Sequence, residues 1–92
     1  MNKAMQATRK PFELYGSGTC PHTRELRESL EWRGESFVEY DVDVDTSALE
    51  RLRRLTPGHS VVPVLVVEGV VRSVGWRGRS CIVGSRVVGS TE

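Results

Sequence analysis

The chain has 92 residues, a formal net charge of +1, 38% hydrophobic residues and 27% charged residues. That suffices for one small domain with a single core, and the near-neutral charge gives no general argument for nucleic acid or membrane partners. No apolar run reaches the roughly 18 residues of a membrane span. Positions 1–10 lack the apolar middle of a signal peptide, so a cytoplasmic monomer is expected. Thiols stay reduced there and structural disulfides are rare.

In chain order, positions 1–10 show no periodicity and are expected to form a flexible leader. Phe12-Glu13-Leu14-Tyr15-Gly16 reads as a short strand ended by Gly16-Ser17-Gly18. Positions 21–33 read as a helix, with Leu26 and Leu30 one turn apart on one face and Gly34 as the stop. Positions 36–44 alternate, with Val38, Tyr40, Val42 and Val44 facing one way, as in a strand. Asp45, Thr46 and Ser47 are N-cap candidates, and Ser47 with Glu50 has capping-box spacing. A second helix over 47–55 follows, placing Leu49, Leu52 and Leu55 inward.

The apolar stretch 61–67 contains Pro63 near its start. Glu68-Gly69 then signals a turn into a partner strand over 70–74. Gly75-Trp76-Arg77-Gly78-Arg79 reads as a loop, and 81–92 as an irregular C-terminal tail. The order β-α-β-α-β-β makes the first two strands parallel through a right-handed crossover. The whole is an α/β fold with a four-stranded mixed sheet covered by helices.

Of the two cysteines, Cys20 sits where the first strand hands over to the first helix. Helix N-terminal amides and the helix dipole favour thiolate over thiol, and thiolate is the nucleophile. Pro21 suits the first helical position, which needs no N–H. His22 and Thr23 lie in the same first turn. A lowered pKa is expected for Cys20, helped by the helix terminus and His22, with a Thr23 hydroxyl bond to the sulfur as an added option.

Strand, Thr19-Cys20-Pro21 at a helix start, a second βα unit, and Val61-Val62-Pro63 before a hairpin and a glycine-containing loop together resemble a glutaredoxin of the thioredoxin superfamily. The resemblance covers 12–78, within a domain placed at 11–80, and implies the thioredoxin-like fold with its terminal helix short or absent. Ser17-Gly18-Thr19-Cys20-Pro21-His22-Thr23 followed by Val38-Glu39-Tyr40-Asp41-Val42 is similar to a bacterial glutaredoxin-like family. Some of its members carry selenocysteine at the position of Cys20.

The resemblance implies a cis Pro63 packed against the sulfur and a Val62 backbone that pairs with the cysteinyl part of glutathione. It further implies glutathione as cosubstrate, disulfide-containing proteins or small thiols as partners, and no tightly bound cofactor or metal. Thr23 stands where a dithiol glutaredoxin has its second cysteine, so Cys20 acts alone or with Cys81. The expected chemistry is attack of Cys20 on a protein–glutathione mixed disulfide, resolved by glutathione or by Cys81. Arg54 or Arg77 would hold a glutathione carboxylate through a guanidinium fork, with Gly75 and Trp76 lining the same site. The alternatives are a monothiol iron–sulfur cluster carrier, a thiol-dependent peroxide reductase, and a zinc module built on Cys20, Cys81, His22 and His59.

Overall fold

The computed structural model describes residues 11–83. The expected leader and residues 84–92 of the expected tail lie outside the described residues. Strand β1 (Phe12–Gly16) is followed by helix α1 (Pro21–Trp32), β2 (Phe37–Asp41) and α2 (Thr46–Leu55). Then come β3 (Val61–Val62), β4 (Val64–Val67), β5 (Val70–Val74) and β6 (Cys81–Ile82).

Four strands form a mixed sheet in the order β2-β1-β4-β5. β1 runs parallel to β2 and antiparallel to β4, which pairs antiparallel with β5. The two helices lie on opposite faces, because alternate strand residues point opposite ways. Leu14 and Leu65 pack with Leu26 and Leu30 of α1. Tyr15, Val64 and Val66 pack with Ala48 and Leu52 of α2.

The α2 N-cap is Asp45, whose carboxylate accepts from the Ala48 amide at 3.1 Å; this, rather than the Ser47–Glu50 spacing, sets the helix start. The alternation over 36–44 overstates β2. Val38 is 41% exposed and Val44 79% exposed, because β2 is an edge strand that ends at Asp41. Arg27 reaches from α1 to Glu39 on this edge with Nε at 2.8 Å and Nη2 at 3.2 Å.

On the α2 face, Tyr15 and Tyr40 stack with centroids 5.1 Å apart. The Arg51 guanidinium lies 4.7 Å from the Tyr40 centroid, and its Nε donates to the Tyr15 hydroxyl at 3.1 Å. Burial raises the Tyr15 phenol above its ordinary 10.0, against the lowering effect of the Arg51 hydrogen bond. The neutral phenol is therefore favoured in the folded state. Its contribution is fully present below the unfolded value and is lost as pH rises through the raised folded value. Urea denaturation at increasing alkaline pH is expected to show stability falling above pH about 10, with a shallower fall in Tyr15→Phe.

A second, two-stranded sheet pairs β3 with β6, placing Val61 opposite Ile82 and Val62 opposite Cys81. This corrects the expectation that the chain turns irregular at Cys81. The reversal is made by Trp76-Arg77-Gly78-Arg79, where the Trp76 amide donates to Arg79 O at 2.7 Å and the Arg79 amide returns to Trp76 O at 2.9 Å. Arg77 (φ 55°) and Gly78 (φ 79°) are both left-handed, which gives the primed turn that matches strand twist. Gly75 (φ 86°) precedes it, and a Cβ there would come within 2.8 Å of Arg79 O. The loop expected over 75–79 is thus a tight hairpin that aims Cys81 back at β3.

Candidate active site

β1 ends beneath the N-terminus of α1, and the intervening loop fixes Cys20. Cys20 is the N-cap residue of α1 with extended backbone (φ −92°, ψ 116°), and Pro21 takes the first turn. The Cys20 amide donates to Ser17 O at 3.1 Å, while Cys20 O accepts from the Thr23 and Arg24 amides at 3.1 and 3.3 Å. Its side chain makes no capping hydrogen bond. The sulfur is bonded to that of Cys81, with Cα atoms 6.1 Å apart, inside the span a disulfide bridges. Cys20 is 4% exposed and belongs to the α2-face core cluster.

The Val62–Pro63 peptide is cis, and Val62 pairs with Cys81 across the β3–β6 ladder. Val62 and Pro63 are fully buried, and Pro63 O accepts from the Gly75 amide at 2.7 Å. Cys20, Val62, Pro63 and Cys81 are therefore brought together as one site. Gly75 is joined to it by backbone, in a conformational role.

The loop before Cys20 is held by side chains that the sequence reading passed over. The Ser17 hydroxyl, on a residue 3% exposed, donates to the Asp43 carboxylate. It also lies 3.1 Å from the Thr19 hydroxyl and accepts from the Thr19 amide at 3.2 Å. Asp43 was legible only as one acid in an alternating run. Thr23 is wholly buried, and its hydroxyl oxygen accepts from the Ser17 amide at 3.3 Å. No bond from Thr23 to the Cys20 sulfur is present among the described residues; the hydroxyl is used to hold the loop.

A Cβ on Gly16 would collide with the Thr23 side chain, reaching 2.9 Å from its hydroxyl oxygen. Gly16→Ala is expected to cost about 1–3 kcal/mol as an overpacked core substitution, read as a lower urea midpoint with an unchanged m-value.

His22 is partly buried, and its Nδ1 has no hydrogen-bond partner among the described residues. Beside the sulfur, Gly18, Thr19, Cys20, Pro21, Arg24 and Arg27 line a hollow of about 410 Å³. The sequence reading singled out neither Arg24 nor Arg27 as a site residue. Their nearness to Cys20 follows from helical spacing once Cys20 caps the helix.

The arginines expected at the site lie elsewhere. Arg54 lines a hollow of about 260 Å³ with Glu13, Tyr15, Arg51, Leu55, Val66 and Gly69. That hollow is at the start of β1 and the β4–β5 turn, the end of the sheet away from Cys20. Arg77 sits 5.3 Å from the Trp76 ring. Both residues line another hollow with Glu25, Glu28 and Ser29 of α1. Trp76 packs onto the Leu14, Leu26, Leu30 and Leu65 cluster. His59 and His22 form no metal cluster with the cysteines: no group of three or more His, Cys, Asp or Glu able to hold a metal occurs among the described residues. Nor is any described helix long and apolar enough to cross a membrane.

A glutaredoxin family model matches residues 12–72. The chain belongs to the glutaredoxin family. A probable glutaredoxin of Synechocystis sp. is 33% identical over 55 residues, which are 60% of this chain and 50% of that protein. The chain thus spans about half the length of this curated relative. Among solved structures, the glutaredoxin (grx-1) of Archaeoglobus fulgidus superposes with a TM-score of 0.64 at 25% identity. The match covers 83% of this chain and 85% of the other. A thioredoxin-like protein, BC3987, solved as a point mutant, superposes with a TM-score of 0.61 at 29% identity, covering 74% and 85%. The expected thioredoxin-like α/β fold is the observed one. In this glutaredoxin-family chain the residue at the usual second-cysteine position, Thr23, is part of the loop's hydrogen-bond network, and the sulfur partner comes from β6 instead.

Proposed function

We propose that this chain is a thiol–disulfide oxidoreductase in which Cys20 is the nucleophile and Cys81 the resolving thiol. The observation that carries the reading is the Cys20–Cys81 disulfide at the N-terminus of α1, laid against Val62. Glutaredoxin-family membership supports the class of chemistry.

In the first step the Cys20 thiolate attacks a protein–glutathione mixed disulfide. A bond forms from Cys20 to the glutathione sulfur, and the protein thiolate departs with the electron pair of the broken bond. Cys81, deprotonated, then attacks the Cys20 sulfur. The Cys20–Cys81 bond forms and glutathione thiolate leaves. Two electrons have passed from the cysteine pair to the substrate. Two equivalents of glutathione, acting as cosubstrate, restore the dithiol and leave as glutathione disulfide. The α1 N-terminus stabilises negative charge on the Cys20 sulfur both as attacking and as leaving group. Arg24, on the rim of the adjoining hollow and without an ion pair among the described residues, is placed to attract an anionic substrate. Arg27 is already engaged by Glu39.

The test is the site of glutathionylation in Cys81→Ser treated with glutathione disulfide. The adduct is expected on Cys20 alone. Failure of Cys20 to accept a glutathionyl group would refute the reading.

A further inference from the structure

β6 is an unusual element. It takes no part in the four-stranded sheet, and its ladder is the two-residue pairing with β3. The Val83 amide extends that pairing by donating to Ser60 O at 2.8 Å. Side chains alternate as in any strand. Cys81 turns in to the Cys20 sulfur, Ile82 is 73% exposed, and Val83 is 7% exposed within the core cluster that also holds Cys20, Val62 and Val64.

An extended segment bearing a cysteine thus lies antiparallel on the Val61–Val62 edge. Among the described residues it is fixed by three things: a disulfide to Cys20, main-chain bonds to β3, and an aliphatic side chain two positions after the cysteine. A two-residue ladder alone is marginal in water. Once the disulfide is reduced, what retains β6 is that ladder and the burial of one valine. The edge then becomes open to another strand of the same pattern, by the general mode in which an exposed strand edge accepts an extended peptide.

We infer that β6 is a resident copy of the substrate strand. The partner class is an extended polypeptide carrying cysteine followed, two residues on, by an aliphatic side chain. This rests on Cys20 as the nucleophile proposed above, and it adds what that thiol recognises. Resolution is then a strand exchange. For a substrate of this class the strand's own cysteine, in place of the glutathionyl group, is the one retained: the substrate strand docks on β3, the Cys20 thiolate attacks its disulfide at that cysteine, and the other sulfur, glutathione's in a mixed disulfide, leaves as thiolate. β6 returns to the edge while Cys81 attacks Cys20 and expels the substrate cysteine as thiolate. Protons enter and leave through solvent, and the cysteine pair supplies both electrons.

The test uses the reduced 92-residue chain carrying Cys81→Ser, in which resolution is blocked, and three probes activated as mixed disulfides with thionitrobenzoate. The probes are the peptide Arg-Ser-Cys-Ile-Val-Gly, the same peptide with Asn in place of Val, and glutathione. Release of coloured thionitrobenzoate reports formation of the bond between Cys20 and the probe. The Val peptide is expected to react about tenfold or more faster than the Asn peptide, from burial of one aliphatic side chain. Equal rates for the two peptides, with glutathione reacting normally, would overturn the strand inference and leave Cys20 as nucleophile. No release from any probe would overturn both.

Discussion

Reducing the Cys20–Cys81 bond is expected to lower the thermal midpoint by roughly 10–20 °C, measured on the same protein with and without a dithiol. The bridge joins positions 61 apart, and closing a loop of that size restricts the unfolded chain by up to about 4 kcal/mol in the chain-entropy account. For a chain this short each kcal/mol moves the midpoint by about 4–8 °C. The observed shift should fall below the full product, because reduced β6 is held, among the described residues, by its short ladder and the burial of Val83, and can detach without unfolding the main sheet. Cys81→Ser should show the low midpoint in either redox condition. A midpoint insensitive to the dithiol in the wild type would mean that the bond contributes nothing to the folded state.

Substituting Cys20 by serine should remove turnover of a glutathionylated peptide, a loss of at least about a thousandfold that leaves only the uncatalysed exchange. Serine keeps the size and the helix-capping position, yet its hydroxyl is not ionised near neutral pH and is no match for a thiolate. Cys81→Ser should behave differently. It should retain the first, glutathione-accepting step and form no internal disulfide. Continued turnover would then depend on glutathione to release the adduct. A coupled assay over a range of glutathione concentrations separates the two. Equal residual rates in Cys20→Ser and wild type would remove Cys20 from the chemistry.

Much of this site was legible in the sequence because local rules dictated it. The glycine-rich handover after β1, the extended Cys20 and the proline in the first turn of α1 are short-range features, and each has a backbone reason. The β4–β5 hairpin was legible for the same cause, with Glu68-Gly69 between two valine-rich runs. Two parts were not. β6 is only two residues long, and Cys81-Ile82 becomes a strand solely because Val61–Val62 lies beside it. The available signal was Arg77-Gly78, a pair suited to a primed two-residue turn, flanked by Gly75 that must stay small. Arg54 was placed at the sulfur because it precedes the Val61-Val62-Pro63 segment in sequence. The side chain instead reaches the far end of the sheet beside Glu13 and Gly69. Proximity along the chain carried no information about which end of α2 it would serve. The Ser17–Asp43 contact was hidden for a related reason, since it depends on β1 and β2 being adjacent and parallel.

The central claim is that Cys20 and Cys81 act as one redox pair. Its most direct test is a time course of intact mass after mixing fully reduced wild-type protein with glutathione disulfide. The account predicts a transient adduct of one glutathionyl group. It then gives way to a species two hydrogens lighter than the reduced protein, whose disulfide maps to Cys20 and Cys81. A glutathione adduct that persists in the wild type, with no internal disulfide following it, would contradict the account.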